Sequence, residues 1–172
     1  MILKFFPTTI FRETPKVTFI DAGLEAINGC DIVFHCEEAI SPPDDFNEEQ
    51  YYVHNHQIDR NLVITGERKF ILINPTWNDP HHVIFLNRSM GALEIPIGTY
   101  HRSMSGNEGS IVLNQPKRDK FFDPTKEFIP QKLDKVSLIE ARKTPPFYWI
   151  WENDQIKRVT VNPLERKVKA LT

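Results

Sequence analysis

Short hydrophobic runs separated by turn residues recur along the whole chain. In several of them hydrophobic and polar residues alternate, which is the period of a β-strand with one buried face. The most helix-like stretch, residues 133–142, lacks a strong hydrophobic stripe. Many short strands with frequent prolines, and no alternation of strands with helices, indicate an all-β sandwich or barrel. The clearest runs are KVTFIDAG, CDIVFHCEE, QYYVHNH, HHVIFLN, GALEIP and GSIVLNQP.

Two longer stretches are predicted to form β-hairpins. In RNLVITGERKFILIN the turn is expected at Gly66–Glu67, and in FYWIWENDQIKRVTV it is expected at Asn153–Asp154. The strand before the second turn is hydrophobic on both faces, with Trp149 and Trp151 sharing one of them. This pattern predicts a strand that is covered on both sides, as a dimer interface would cover it.

Composition narrows the class of protein. Hydrophobic residues make up 40% and charged residues 26% of the 172 residues, and the formal net charge is −2. These values are ordinary for a soluble globular protein, and the length suits one domain over residues 1–172. The chain has no basic tract interleaved with aromatic residues, so the sequence does not imply nucleic acid as a partner. Its hydrophobic runs are too short for a membrane span. Pro7, Arg12 and Glu13 interrupt the N-terminal hydrophobic residues, so we expect no signal peptide and a cytoplasmic protein.

The candidate metal-binding and catalytic residues are concentrated in the stretch YYVHNHQID. His54 and His56 are two residues apart, and on a strand such residues project to the same face, where both can bind one metal ion. A third ligand must come from another strand. His101 is the candidate, because the turn predicted at Pro96 and Gly98 brings its strand back beside a neighbour.

These motifs together resemble those of the cupin superfamily. The first cupin motif is a His-x-His pair, then a Glu, then a Gly seven residues later, and here His54-Asn55-His56 is followed by Asp59 and Gly66. The second motif is a Gly, then Pro-x-Gly-x-x-His, then an Asn. Here it is matched by Gly91, PIGTYH ending at His101, and Asn107. The resemblance covers about residues 50–114 and implies a cupin jelly-roll, or double-stranded β-helix, with N- and C-terminal extensions.

The resemblance also implies a metal site. In metal-binding cupins the histidine pair, the Glu and the second-motif His are ligands, which here correspond to His54, His56, Asp59 and His101. Such donors suit a divalent transition metal: Fe, Mn, Ni, Cu or Zn. Asp59 is shorter than Glu and follows His56 more closely than in the family. If it misses the ion, a three-histidine site with open positions remains.

The stretch GALEIPIGTYHR is also similar to the sugar epimerase and ketoisomerase branch of the cupins. Those enzymes usually act on nucleotide-linked sugars without a metal, and a His acts as general base beside a sugar carbonyl. Here the base would be His54 or His101, and the acid Tyr52 or Tyr100. Tyr52 is preferred, because it shares strand parity with His54, whereas Tyr100 is adjacent to His101 and points the opposite way.

Three classes of function therefore stay open. The first is a metal cupin that binds a small molecule and acts as an oxygenase or isomerase. The second is a metal-free epimerase or ketoisomerase acting on a nucleotide sugar. The third is a ligand-binding or sensor module without chemistry. Because cupins are often homodimers, the resemblance also implies a homodimer with the terminal extensions at the interface.

Overall fold

The computed structural model describes residues 3–165, and β-strands predominate among them. The helices are α1 (Pro124–Glu127) and α2 (Val136–Lys143), and Arg88–Met90 form one 3-10 turn. The strands are β1 (Lys4–Phe6), β2 (Thr9–Thr14), β3 (Val17–Asp21), β4 (Asp31–His35), β5 (Ile40–Ser41), β6 (Gln57–Ile73), β7 (His81–Leu86), β8 (Ala92–Ile95), β9 (Tyr100–Asn114), β10 (Lys117–Arg118), β11 (Phe147–Glu152) and β12 (Gln155–Val159). This confirms the prediction of an all-β protein.

Two long strands, β6 and β9, organise the main sheet. They pair antiparallel over most of their length, from Asn61 opposite Asn114 to Ile73 opposite Tyr100. The other edge of β6 pairs with β8 and then β7, while β4 and β5 pair with the far edge of β9. The sheet continues from β7 through β11 to β12, and β1 pairs with β8. The strands β2 and β3 form a separate two-stranded hairpin.

The predicted hairpin at Gly66–Glu67 is wrong, because the whole segment forms the single strand β6. Both halves of this strand pair with the same partner, β9, so the chain does not reverse between them. The register shifts on either side of Gly66, whose φ of 76° places it in the left-handed region. The glycine therefore accommodates a β-bulge rather than a turn. Both structures can use the positive φ that glycine adopts without strain.

The predicted hairpin at Asn153–Asp154 is confirmed. These residues have φ values of 54° and 58° and connect β11 with β12, as a tight turn between antiparallel strands requires. Strand β11 lies between β7 and β12, and Trp149 packs into the core on one of its faces. Its other face contributes Tyr148 to a second cluster. Both hydrophobic faces of β11 thus pack partly within the chain, where Trp149 is buried and Tyr148, Ile150 and Trp151 are half-buried.

Two hydrophobic clusters lie on opposite sides of the strand pair β6–β7. The larger cluster fills the interior of the curled sheet and includes Phe70, Leu72 and Ile84. The smaller cluster includes Ile71 and Ile73 and is covered by α2. Alternate residues of β6 therefore contribute to different clusters, as the period of a strand buried on both faces dictates. Among residues 3–165, no helix is long and apolar enough to cross a membrane.

Candidate active site in the barrel cavity

A cavity of about 530 Å³ opens inside the curled sheet. Side chains from β4, β6 and β9 line its walls, and Phe122, Pro124 and Phe128 close part of it from the segment after β10. Both predicted motifs reach this cavity, since His54 and Asp59 lie on its wall together with His101. The fold therefore brings residues of the first and second motif into one site.

Three buried polar side chains converge in the cavity. Asp59 Oδ2 lies 3.4 Å from His54 Nε2 and 3.5 Å from His101 Nε2. Asp59 is on β6, and His101 is near the start of β9. His54 precedes β6 in the segment whose Tyr52 pairs with His101 through two backbone hydrogen bonds of 2.8 and 2.9 Å. This bridge holds the two motifs side by side.

The protein backbone fixes the orientation of both imidazoles. His54 Nδ1 lies 3.0 Å from the carbonyl oxygen of Glu127, and His101 Nδ1 lies 3.0 Å from that of Thr99. A carbonyl oxygen only accepts hydrogen bonds, so in both rings Nδ1 carries the hydrogen and donates it. Both Nε2 atoms therefore face Asp59, free to accept a proton or to bind a ligand.

The orientation of Asp59 is fixed by two amides and, through one of them, by an arginine. Its Oδ1 accepts hydrogen bonds from Gln57 Nε2 at 2.6 Å and from Asn114 Nδ2 at 2.9 Å. Gln57 Oε1 in turn accepts one from Arg118 Nε at 2.6 Å. With Oδ1 held in this way, Oδ2 is directed towards the imidazoles.

The environment drives the pKa values of the two histidines apart. Burial alone would lower the pKa of His54, but the hydrogen bond to Asp59 and the charges of Asp59 and Glu127 outweigh it, so this pKa is raised. Burial lowers the pKa of His101 to about 4, although the charge of Asp59 opposes it. Burial also acts to raise the pKa of Asp59, but His54 and then His101 lower it. At neutral pH the site therefore favours a charged His54–Asp59 pair beside a neutral His101.

The structure separates His56 from this cluster. The chain bends at Asn55 and His56 instead of continuing as a strand, so the expectation that His54 and His56 share a face is wrong. Glu127 stabilises the bend, because its Oε2 accepts the backbone N–H groups of Asn55 at 2.8 Å and His56 at 3.3 Å. The His56 ring is partly exposed and its Nδ1 lies 2.9 Å from Asp119.

The predicted tyrosines also differ in position. Tyr52 lines the cavity, and its ring centroid lies 6.4 Å from that of His54 and 6.2 Å from that of His101. Tyr100 packs against the cluster under α2, on the other side of the sheet. The parity argument that preferred Tyr52 to Tyr100 agrees with this placement.

Sequence reasoning missed four side chains that support the cluster. Gln57 carried a signal that could have identified it, because it is two residues before Asp59 on the same strand face. The other three come from distant segments and lie next to the cluster only after folding. These are Asn114, Arg118 and Glu127.

The cluster has the donors that a metal site requires. His54, Asp59 and His101 each offer one ligand atom, and these atoms all lie within 4.8 Å of one another. Two imidazole nitrogens and one carboxylate are a common set for divalent transition metals. The hydrogen bonds from both Nδ1 atoms to carbonyl oxygens are those that orient metal-binding histidines. The residues therefore fit a metal ion, with Asp59 rather than His56 completing the set.

Comparison with solved structures finds this fold in enzymes that act on sugars. The WlaRB TDP-quinovose 3,4-ketoisomerase from Campylobacter jejuni is similar with a TM-score of 0.53 and 17% identity, over 74% of this chain and 91% of that one. A variant of the QdtA 3,4-ketoisomerase from Thermoanaerobacterium thermosaccharolyticum, in complex with TDP-4-keto-6-deoxyglucose, has a TM-score of 0.52 and 15% identity, over 80% and 94%. The rmlC epimerase from Mycobacterium tuberculosis has a TM-score of 0.52 and 7% identity, over 74% and 66%.

At these identities the likeness establishes the fold, and the predicted cupin jelly-roll is confirmed. The predicted similarity to the epimerase and ketoisomerase branch is confirmed at the level of the fold. No family model matches the chain, and no curated protein sequence does.

Proposed function

We propose that this protein is a sugar ketoisomerase or epimerase that acts on a nucleotide-linked keto-sugar. The observation that carries the proposal is the His54–Asp59–His101 cluster, which places two histidines of opposite pKa shift in one cavity. Residues whose environments drive their pKa values apart are suited to act as an acid and base pair. Structural neighbours include a ketoisomerase in complex with TDP-4-keto-6-deoxyglucose, which suggests the substrate class.

The chemistry is a proton transfer between two neighbouring carbons. Neutral His101 takes the proton from the carbon next to the sugar carbonyl. The electron pair of the broken C–H bond then forms the carbon–carbon double bond of an enediol. Protonated His54 donates a proton to the carbonyl oxygen as charge develops there. In the second half, His101 returns its proton to the former carbonyl carbon, and His54 takes the hydroxyl proton of the neighbouring oxygen. The carbonyl group has then moved by one carbon.

Tyr52 has a different role in this scheme. An epimerisation returns the proton to the opposite face of the sugar ring, so it needs a donor other than the base that removed it. Tyr52 is the acidic side chain predicted for this step, and it lines the same cavity as the two histidines. Its hydroxyl has no hydrogen-bond partner among residues 3–165, so it is available to a substrate.

Solvent exchange tests this proposal directly. The wild-type protein is incubated in deuterium oxide with a nucleotide-linked 4-keto-6-deoxy sugar, and deuterium at the carbons beside the carbonyl is measured by NMR. We expect incorporation that falls by about 10²- to 10⁴-fold in His101→Asn and His54→Asn. His56→Asn is the matched control, because this ring lies outside the cluster, and it should retain wild-type exchange. Absence of exchange across a panel of keto-sugar nucleotides would count against the proposal.

A metal-dependent enzyme is the second candidate, favoured by the donor set of His54, Asp59 and His101. A divalent transition metal held there would act as a Lewis acid on a substrate oxygen. Elemental analysis of protein purified from metal-supplemented medium separates the two candidates. A stoichiometric metal that is lost in a His54→Ala/His101→Ala variant, and kept in His56→Ala, supports metal dependence. Turnover by metal-free protein excludes it.

We also propose that the protein is a homodimer, on the basis of an exposed apolar face. Strands β4 and β6 direct Ile32, Phe34 and Ile64 outwards, and these side chains are 60%, 69% and 41% exposed. The β2–β3 hairpin is exposed on both faces, although an isolated two-stranded hairpin is marginally stable in water. A second copy would cover both surfaces. Sedimentation analysis should give a dimer that dissociates in Phe34→Glu. The control is Phe46→Glu, since Phe46 is 93% exposed and lies outside β2, β3, β4 and β6.

A further inference from the structure

Glu127 is a buried residue that contacts the stretch from His54 to His56 at four points. Its side chain is 4% exposed although it belongs to a four-residue helix on the surface segment after β10. Its carbonyl oxygen accepts the Nδ1 hydrogen of His54, and its Oε2 accepts the backbone N–H groups of Asn55 and His56. One residue, more than seventy positions away in sequence, thus contacts the whole His54–His56 stretch.

The local sequence explains how Glu127 reaches this position. Asp123 caps α1 by accepting the backbone N–H of Thr125 at 3.0 Å, and Pro124 is pre-organised for the first turn. Beyond the helix, Gln131 forms a pair of backbone hydrogen bonds with Tyr51, each 2.8 Å long. Before the helix, the backbone N–H of Asp119 donates to the carbonyl oxygen of His56 at 3.1 Å. The segment is therefore attached on both sides of α1 to the chain that carries His54, which keeps Glu127 beside it.

We propose that Glu127 is a positioning residue that divides the histidine pair, holding His54 in the cluster and turning His56 out of it. This inference rests on the proposed function for its catalytic consequence. Without an acceptor for the N–H groups of Asn55 and His56, the bend loses the only hydrogen bonds that these groups make among residues 3–165. An alternating strand would direct both imidazoles to one side. The ring of His54 would then lose its alignment with Asp59.

Two substitutions separate the hydrogen-bonding role of the carboxylate from its bulk. Glu127→Gln keeps an oxygen that can accept both N–H groups, whereas Glu127→Ala removes it. The main-chain carbonyl that binds His54 remains in both variants. Both variants also lose the negative charge of Oε2, which lies 3.5 Å from His54 Nδ1, so the difference between Gln and Ala reports on the hydrogen bonds to the bend. Asp119→Asn is the matched control, because Asp119 binds His56 on the exposed side and does not contact His54.

The first readout is the division of the effect between kcat and KM in the exchange assay. We expect Glu127→Ala to lower kcat about 100-fold, the scale of a displaced catalytic group, while KM changes little. Glu127→Gln should recover most of that loss and remain within about tenfold of wild type. Asp119→Asn should be unchanged. Equal kcat in Glu127→Ala and wild type, with both fully folded, would overturn the proposal, and so would equal losses in the Ala and Gln variants.

The second readout does not depend on turnover. In the wild type, the Nδ1 hydrogen of His54 is buried and hydrogen-bonded, so its NMR signal should exchange slowly with water. The signal should persist in Glu127→Gln and Asp119→Asn and broaden or disappear in Glu127→Ala. A persistent signal in Glu127→Ala overturns the proposal. If the wild-type protein turns over no keto-sugar, the proposed function fails, but this measurement still tests the position of His54.

Discussion

Replacement of Asp59 by Ala or by Asn tests whether the site is held as the hydrogen bonds indicate. In Asp59→Ala, Gln57 Nε2 and Asn114 Nδ2 both lose their acceptor in a buried environment. Each orphaned donor costs about 1–3 kcal/mol, so the free energy of unfolding should fall by roughly 2–6 kcal/mol. In Asp59→Asn, the amide oxygen can replace Oδ1 and keep both hydrogen bonds.

The Asn variant also fits the other half of the site. Its amide nitrogen would replace Oδ2 and face the Nε2 atoms of His54 and His101, which are acceptors when the rings are neutral. What it loses is the charge interaction with protonated His54. We therefore expect Asp59→Asn to be less destabilised than Asp59→Ala where both rings are neutral, by about the cost of the two orphaned donors.

The pH dependence of this difference has a definite sign. The folded pKa of Asp59 is lowered, so its contribution is present above its unfolded value of about 3.9 and is lost as the pH falls. The folded pKa of His54 is raised, so its contribution is complete below its unfolded value of about 6.5 and is lost as the pH rises through the folded value. The stability gap between wild type and Asp59→Asn should be widest between these two values.

Urea unfolding monitored by tryptophan fluorescence, at about pH 5.5, 7 and 9, measures these free energies. The reasoning is refuted by equal losses in Asp59→Ala and Asp59→Asn, since the two amide hydrogen bonds would then contribute nothing. It is also refuted if the gap between wild type and Asp59→Asn fails to narrow at the highest pH. In that case the charged pair with His54 would not stabilise the folded state.

Two further predictions follow from the geometry. The pH profile of kcat/KM should be bell-shaped: the acid limb lies near pH 4, where His101 is protonated, and the alkaline limb lies above the ordinary histidine value, where His54 loses its proton. Kinetics of the exchange reaction across this range test both limbs, and an alkaline limb below pH 6 would contradict the role of His54. Gly91→Ala should unfold at much lower temperature than Gly98→Ala, because an added Cβ at Gly91 would overlap the carbonyl of Phe6, whereas none of the described atoms crowds it at Gly98. Both glycines have φ above 70°, so an alanine is strained at either position, and equal melting temperatures would contradict a cost of the overlap at Gly91.

Sequence patterns with a short range predicted the structure well. The all-β composition, the turn at Asn153–Asp154 and the turn before His101 depend on neighbouring residues, and the structure has all of them. The two motifs also placed His54 and His101 in one cavity. The predictions failed where a distant segment decides the local conformation. At Gly66 the continuous partner strand β9 favours a bulge over a turn, and at Asn55 the carboxylate of Glu127 favours a bend over a strand.

Asp59 shows how a spacing can mislead while the residue type is informative. Measured along an extended strand, Asp59 follows the histidine pair too closely for a side chain this short to reach a shared centre. Because the chain bends at Asn55 and His56, the alternation of β6 starts at Gln57 and does not continue from His54. It directs Gln57 and Asp59 inwards. The same bend that removes His56 from the cluster therefore brings Asp59 into it.

The cluster also shows why this cavity is suited to bind a ligand. With both Nδ1 hydrogens donated to carbonyl oxygens, His54 and His101 direct their Nε2 atoms at one carboxylate oxygen. One proton on His54 satisfies the 3.4 Å contact with Asp59, but neutral His101 still directs a lone pair at the same oxygen from 3.5 Å. Two acceptors facing each other in a buried site are unfavourable, and a donor or a positive charge between them removes the cost. A substrate C–H that gives up its proton to His101 can act as this donor, and a divalent cation can act as this positive charge. The same three residues therefore support both candidate chemistries.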